Sequence, residues 1–271
     1  MGSLYICGTP IGNLDDTTYR LKKVLSTVDL ILCEDTRRAK ILLDYLEVKT
    51  PYESFFIGNE YKKSKQVITK IKEGMNIAII SDAGMPTISD PGASLIQSAA
   101  KEGIDVIVIP GPSSVVASFS LSGFLDRGFT FFGFLEKRGV ERQKQIKEIT
   151  TSEKPSIFFT SAQRLKKDLE GIVSNGSTQE IVICRELTKI HETVYRGEAS
   201  ELIKNIGSKE LKGEVTVVVG SASQTIIEDQ KIIDASITLL KEGNSKKSIA
   251  KALSQVSQYS VNEIYSMIQH Y

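Results

Sequence analysis

Cysteine and histidine are scarce in this chain, with three cysteines and two histidines among 271 residues. Cys7, Cys33 and Cys184 each stand in or at the end of an apolar, strand-like run, where a small buried thiol is the simplest reading. No Cys-x-x-Cys occurs, and His191 and His270 lie far apart, so a structural zinc, a disulfide framework and a thioredoxin-type motif all lack support. No metal is expected. An excess of charge of one sign is missing too: 34 basic against 33 acidic side chains leave a net charge of +1. That excludes an overall polybasic nucleic-acid glue, although not a local basic face. Long apolar runs are also absent; stretches such as Ile77–Ile80 and Val215–Val219 are far too short to span a bilayer. The N-terminus runs into the strand-like Leu4–Cys7 without a signal-type apolar block, and Ile6 stands where myristoylation needs Ser or Thr. A cytoplasmic protein without membrane contact is expected. Two nucleotide signatures are lacking as well: Gly-x-x-x-x-Gly-Lys-Ser/Thr anywhere, and Gly-x-Gly-x-x-Gly after the first strand.

What is present is an ordinary globular composition, 41% hydrophobic and 25% charged, long enough for two domains. Residues 1–123 alternate short apolar runs (Leu4–Cys7, Leu30–Cys33, a weaker Glu53–Ile57, Ile77–Ile80, Val106–Ile109) with helix-period segments. Those helices include Thr17–Val28, one capped by Thr36 that carries Ile41, Leu42, Tyr45 and Leu46, one from Glu60 to about Gly74, and one opened by Asp90-Pro91. This rhythm predicts a largely parallel α/β sheet. Residues 124–225 read as a second α/β domain with a mixed sheet, because Glu180–Cys184 and Thr193–Arg196 have no helix between them. Residues 226–271 read as helices alone, at Ile232–Leu240, Lys246–Val256 and Val261–Ile268.

The prolines locate the chemistry. Of seven, five sit in three loops after strands of the first domain: Pro10; Pro86 with Pro91; and Pro110 with Pro112. Gly8, Gly12, Gly84, Gly92 and Gly111 share those loops, where proline fixes the turn and glycine admits a close backbone approach. In open α/β sheets ligands sit beyond the carboxyl ends of the strands, so a site using mainly backbone groups is expected there. The loops carry few cations, which argues against a polyphosphate, while Asp82 and Asp90 suit an amine, a sulfonium or ribose hydroxyls. Elsewhere, residues 137–147 hold Lys137, Arg138, Arg142, Lys144 and Lys147 against Glu141 alone. That is either a solvated helix face or a phosphate-binding one.

The motifs Thr9-Pro10-Ile11-Gly12-Asn13-Leu14, Glu34-Asp35-Thr36-Arg37, Ser81-Asp82-Ala83-Gly84, Asp90-Pro91-Gly92 and Pro110-Gly111-Pro112-Ser113 occur in one order. Arg185-Glu186-Leu187-Thr188-Lys189 and Lys212-Gly213-Glu214 continue the series. From about Leu4 to Val219 the chain resembles the ribosomal RNA small subunit methyltransferase I family, of the tetrapyrrole-methylase fold. The resemblance implies two α/β domains with S-adenosyl-L-methionine in the cleft between them, a small C-terminal helical extension, and a homodimer. It further implies 2'-O-methylation of a cytidine in the decoding centre of 16S ribosomal RNA, in the 30S subunit. Carried over by position, the cofactor contacts are Thr9, Pro10, Gly12, Asp82, Ala83 and Gly84, then Asp90, Pro110, Gly111, Pro112, Ser113, Ser114 and Leu187. Arg37, Arg138, Arg142, Lys144 and Arg185 are the RNA-facing candidates. The chain departs from the family's usual residues at Ile57 and Gly58, at Met85, and over Phe159–Gln163, which removes an acid and several imidazoles.

A ribose hydroxyl needs a base beside it to act as a nucleophile. With His191 the one histidine in reach of the role, the candidates are Glu34, Asp35, Glu186, Lys189 and Glu192. Lys189 is either a base, since a desolvated lysine can give up its proton, or with Arg185 a phosphate anchor that Glu186 pairs with. The Arg185–Lys189 segment is expected to leave a sheet edge and face the first domain's loops. Two rival functions are a carbon methyltransferase acting on a tetrapyrrole, and a ligand-sensing regulator with a helix-turn-helix tail.

Overall fold

The computed structural model describes residues 1–206, 212–222, 229–257 and 259–269, so His270 and the boundary expected at 225 lie outside the described residues. Five parallel strands build the first sheet: β1 (Leu4–Cys7), β2 (Leu30–Cys33), β3 (Tyr52–Ser54), β4 (Ile77–Ile80) and β5 (Val106–Ile109), in the order β3-β2-β4-β1-β5. Alternation along these strands splits the core into two layers. Ile31, Cys33, Ala78 and Ile80 face one cluster, while Leu30, Leu32, Ile77 and Ile79 face the other. A sheet apolar on both faces needs cover on both. Helices α1 (Tyr19–Thr27) and α2 (Thr36–Tyr45) pack on the first cluster, and α3 (Glu60–Lys72) and α4 (Ala93–Lys101) on the second.

Three details differ from the expectations. Asp35 rather than Thr36 caps α2, its carboxylate accepting the Arg37 N–H at 2.8 Å. The buried stripe of α2 is Ala39, Leu42 and Leu43, continued by Leu46, so Ile41 and Tyr45 point outward. Helix α4 begins only at Ala93, and its first amides are capped from another element. The Glu60 carboxylate accepts from Gly92 N at 3.2 Å, Ser94 N at 3.3 Å and Ser94 Oγ at 2.6 Å. Asp90 and Pro91 are thereby left in the loop.

The second sheet contains β6 (Thr130–Phe134), β7 (Ser156–Ser161), β8 (Glu180–Arg185), β9 (Thr193–Glu198) and β10 (Glu214–Val219), in the order β6-β7-β10-β8-β9. Only β6 and β7 pair in parallel; β8 and β9 are antiparallel, as the missing helix between them required. Helices α6 (Gly139–Thr151), α7 (Ala162–Ser174) and α8 (Ala199–Ile206) complete this unit. Between the sheets runs α5 (Ser114–Ser122), a helix the apolar pattern did not announce. It lies on the second sheet, where Val115 joins Ile11, Val182, Cys184, Leu187 and Val218 in a shared apolar cluster. Arg196 of β9 ties down its end, donating to the Leu121 carbonyl at 2.5 Å and the Ser122 carbonyl at 3.3 Å.

The chain ends in α9 (Asp229–Lys241), α10 (Lys246–Leu253) and α11 (Val261–Met267). These three pack on one another around Ile232, Ala250 and Ile264, a small core of their own. None of the described helices is long and apolar enough to cross a membrane.

Candidate active site

Because the first sheet is parallel, the loops leaving β1, β2, β4 and β5 all emerge at one end. Two of them are pinned to each other there. Thr9 and Gly84 exchange backbone hydrogen bonds at 2.9 and 3.1 Å, and the Thr9 hydroxyl donates to the Ser81 carbonyl at 3.2 Å. The β1 and β5 loops touch through glycine: a Cβ placed on Gly111 would lie 2.7–2.8 Å from the backbone of Gly8. Thr9 is therefore buried, and Pro110, Gly111 and Pro112 line a second hollow with Thr18 and Thr188 that shares Ile11 and Ser113 with the main cleft.

The main cleft, about 460 Å³, opens between the first sheet's loops and the ends of β7, β8 and β10. Glu34, Asp82, Ala83, Gly84 and Asp90 line it from one side, with Ser113 and Ser114 at the start of α5. Leu187, Gly213 and Glu214 line it from the other. Eight candidate site residues, with Gly213 and Glu214 of the last motif, thus meet at one place. Gly84 adopts φ +78, so its role is a left-handed backbone; a Cβ there would have ordinary room, 3.5 Å from Ile11 and 3.6 Å from the Pro112 carbonyl. Gly12 lies outside the cleft, against the Leu187 carbonyl and the Lys189 side chain, where it seats the β1 loop on the second unit.

Three carboxylates set the electrostatics. Burial, the Glu34 charge and the Asp82 charge push Asp90 up to about 6, against a smaller lowering by the Ser81 hydroxyl. Burial and then Asp82 raise Glu34 as well, although Arg38 pulls the other way. Asp82 accepts from the Asp35 N–H at 3.1 Å and stands 3.5 Å from Arg38 Nε. Among the described residues Arg38 is the one cation lining the cleft, and it was not singled out from sequence. Against Glu34, Asp82, Asp90 and Glu214 it leaves a site suited to a positively charged ligand. Among the described residues, no three His, Cys, Asp or Glu side chains are placed to hold a metal ion.

Several candidates turn out to be occupied elsewhere. Asp35 does not line the cleft; its carboxylate caps α2 and holds Arg37 at 2.6 Å, which keeps it down at about 2 and engages Arg37 as well. Lys189 bridges Glu186 at 2.9 Å and Glu214 at 3.0 Å. Burial alone would lower the Lys189 pKa, but the hydrogen bonds that its ammonium donates to the two carboxylates outweigh it and the net direction is up. Glu186 shows the converse. Burial would raise it, yet the Glu214 N–H and Lys189 bring it down. Glu192 accepts from the Thr188 N–H at 2.6 Å. The segment they share leaves β8, which lies between β10 and β9, so it issues from the end of an interior strand rather than from a sheet edge. Arg185 donates to the Lys212 carbonyl at 2.8 Å and holds that turn.

Arg142 is the clear correction. It is buried, 2.7 Å from the fully buried Asp168, and donates to the carbonyls of Glu136 and Lys167 at 3.1 and 3.2 Å. The reason is its place on α6: Arg142, Ile146 and Ile149 form the inward stripe. Arg138 and Lys144 remain exposed, the latter 3.2 Å from Glu141.

The family model for Tetrapyrrole (Corrin/Porphyrin) Methylases matches residues 3–203. A ribosomal RNA small subunit methyltransferase I of Thermotoga maritima is 44% identical over 81% of this chain and 98% of its own length. The chain belongs to this family. Its Bacillus subtilis relative of the same name is 34% identical, over 93% of this chain and 89% of its own. The fold is shared more widely: a uroporphyrin-III C-methyl transferase of Thermus thermophilus, solved with S-adenyl homocysteine, superposes with a TM-score of 0.58 at 14% identity. That alignment covers 83% of this chain and 100% of that one.

Proposed function

We propose that the protein methylates small-subunit ribosomal RNA with S-adenosyl-L-methionine, at the 2'-hydroxyl of a cytidine in the decoding centre. The 44% identity over nearly the whole length of a relative so named carries the reading. The cleft fits the cofactor on its own terms. It has the size of a small-molecule site, a surplus of carboxylates for a sulfonium and an ammonium, and serines at the start of α5 for hydroxyl or carboxylate groups. When bound, S-adenosylmethionine supplies an electrophilic methyl group on a cationic sulfur.

Proton removal falls to the side chains. Lys189, clamped by two carboxylates and kept charged, acts as an electrostatic support rather than a base. Glu34 and Asp90 line the cleft, both raised by burial, and Asp90 at about 6 comes near the operating pH at which a general base works best. Arg138 at the start of α6, with Lys144 and Lys147 exposed on it, supplies a phosphate-binding face. The protein works in the cytoplasm, as a homodimer on the assembled 30S subunit. Its folding units are residues 1–123, 124–225 and 226–271, the last an added helical module.

The test offers labelled cofactor to 30S subunits, naked 16S RNA, a tetrapyrrole and DNA, and maps the product by mass spectrometry of nuclease digests. A 2'-O-methylcytidine in RNA is expected. Methyl on a base, or on the tetrapyrrole alone, would refute the reading. Lys189→Arg should keep most of the turnover that Lys189→Ala loses, because the charge is what the clamp requires.

A further inference from the structure

The aromatic lip of the cleft takes no part in handling protons or cations. Among the residues that line the cleft, the two aromatic ones are Phe134 and Phe159. Phe134 is 56% exposed. A regular strand would send Phe132 and Phe134 to the same face, and Phe132 does pack into the core under α7 and α8. Phe134 goes the other way. The register of β6 on β7 slips between Phe131 and Phe134, and Gly133 between them sits at φ +64. This bulge turns Phe134 onto the cleft side, its ring centroid 5.4 Å from that of Phe159, which in turn meets Phe131 at 4.9 Å.

The redirected ring is held from behind. Arg164 donates to the Leu135 carbonyl at 2.6 Å, and Arg142 donates to the Glu136 carbonyl at 3.1 Å. Arg142 is itself fixed by Asp168, and Asp168 also accepts from the Thr160 hydroxyl at 2.5 Å, beside Phe159. Across the lip, a Cβ on Gly133 would lie 3.5 Å from the Ser89 hydroxyl, and Ser89 lines the cleft at φ +69, a strained backbone for a serine. A bulge, a buried ion pair and a strained loop therefore converge on presenting one aromatic ring at the edge of a polar cleft.

We propose that Phe134 is a base-stacking residue: its ring receives the flat face of a nucleobase, the cofactor's adenine or the acceptor nucleotide's base. This rests on the reading of the cleft as a site for methyl transfer to RNA. Stacking on an aromatic face is tolerant of base identity and suits a ring backed by a second ring. The carboxylates and serines of the same cleft take the charged and hydroxylated parts of the ligand, which leaves the flat apolar part for the lip.

The experiment compares Phe134→Ala, Phe134→Leu and Phe134→Tyr with the parent protein. Calorimetry measures affinity for S-adenosylmethionine and for adenosine, and steady-state assays on 30S subunits give KM and kcat. Phe134→Ala should cost on the order of tenfold in one arm, Phe134→Tyr should restore it, and Phe134→Leu should not. Loss of cofactor and adenosine affinity assigns the ring to adenine; a raised KM for subunits with unchanged cofactor affinity assigns it to the acceptor base. No effect of Phe134→Ala in either arm, or full rescue by leucine, overturns the proposal. A parent protein that binds cofactor but methylates no RNA would sink the RNA reading by itself. The adenosine arm then decides the stack alone, and unchanged adenosine affinity in Phe134→Ala overturns it.

Discussion

At the scale of single residues, the cleft carries its own pH dependence. Asp90 titrates at about 6 because burial and the Glu34 charge both disfavour its carboxylate. An unfolded aspartate titrates near 4, so the folded protein holds the extra proton between about pH 4 and 6. Its contribution to stability therefore falls as pH rises through that window. Cofactor binding should run the opposite way. A cation favours the ionised carboxylate, so affinity should strengthen as pH rises towards 6 and level off above it, with a proton released on binding below that point. Calorimetry from pH 5 to 7.5 in buffers of different ionisation enthalpy would show this, and Asp90→Asn should flatten the profile. A flat profile in the parent protein would mean that the ligand's charge is met elsewhere.

At the scale of elements, the loops and α6 give opposite lessons about glycine and arginine. Gly8 and Gly111 are needed because two backbones meet with no room for a Cβ. Gly8→Ala or Gly111→Ala should separate the β1 and β5 loops, weakening cofactor binding by about tenfold or more and lowering Tm, as overpacking of about 1–3 kcal/mol would. An unchanged affinity would place the ligand away from these loops. On α6, Arg138→Glu with Lys144→Glu should leave stability nearly unchanged but flatten the salt dependence of subunit binding. Arg142→Ala should instead cost about 3–5 kcal/mol in denaturant unfolding, because it strands the buried Asp168 carboxylate. If the double variant leaves the salt slope untouched, that face is only solvated.

At the scale of the whole molecule, two features organise the chain: α5 and the terminal helices. By lying on the second sheet, α5 makes one apolar cluster out of Ile11, Val115, Val182 and Leu187, and so holds the two halves of the cleft in register. Among the described residues the terminal helices gather around an apolar cluster of their own, Ile232, Ala250 and Ile264. Truncation before Asp229 should therefore leave a cooperatively folded protein with normal cofactor affinity, measured by thermal melting and calorimetry. A weakened affinity for 30S subunits in the same variant would assign the module to RNA. Loss of cooperative unfolding would show that the helices support the sheets.

The order of strands and helices along the chain was legible because period-2 and period-3.6 patterns are local, and the Gly/Pro loops marked one end of a parallel sheet. The same holds for the family, since Asp82, Gly84, Asp90 and Ser113 keep their order and do meet in space. What the linear pattern does not carry is direction. Five cations in 137–147 look alike until the inward stripe of α6 takes Arg142 out of solvent. Lys189 reads equally as a base or a phosphate anchor until Glu214, distant in sequence, comes within 3.0 Å of it. In a regular strand Phe132 and Phe134 would share one face, and the bulge at Gly133 parts them. In each case the deciding contact is non-local: composition and spacing determined which groups exist and on which element, and only packing between elements decided which of them reach the cleft.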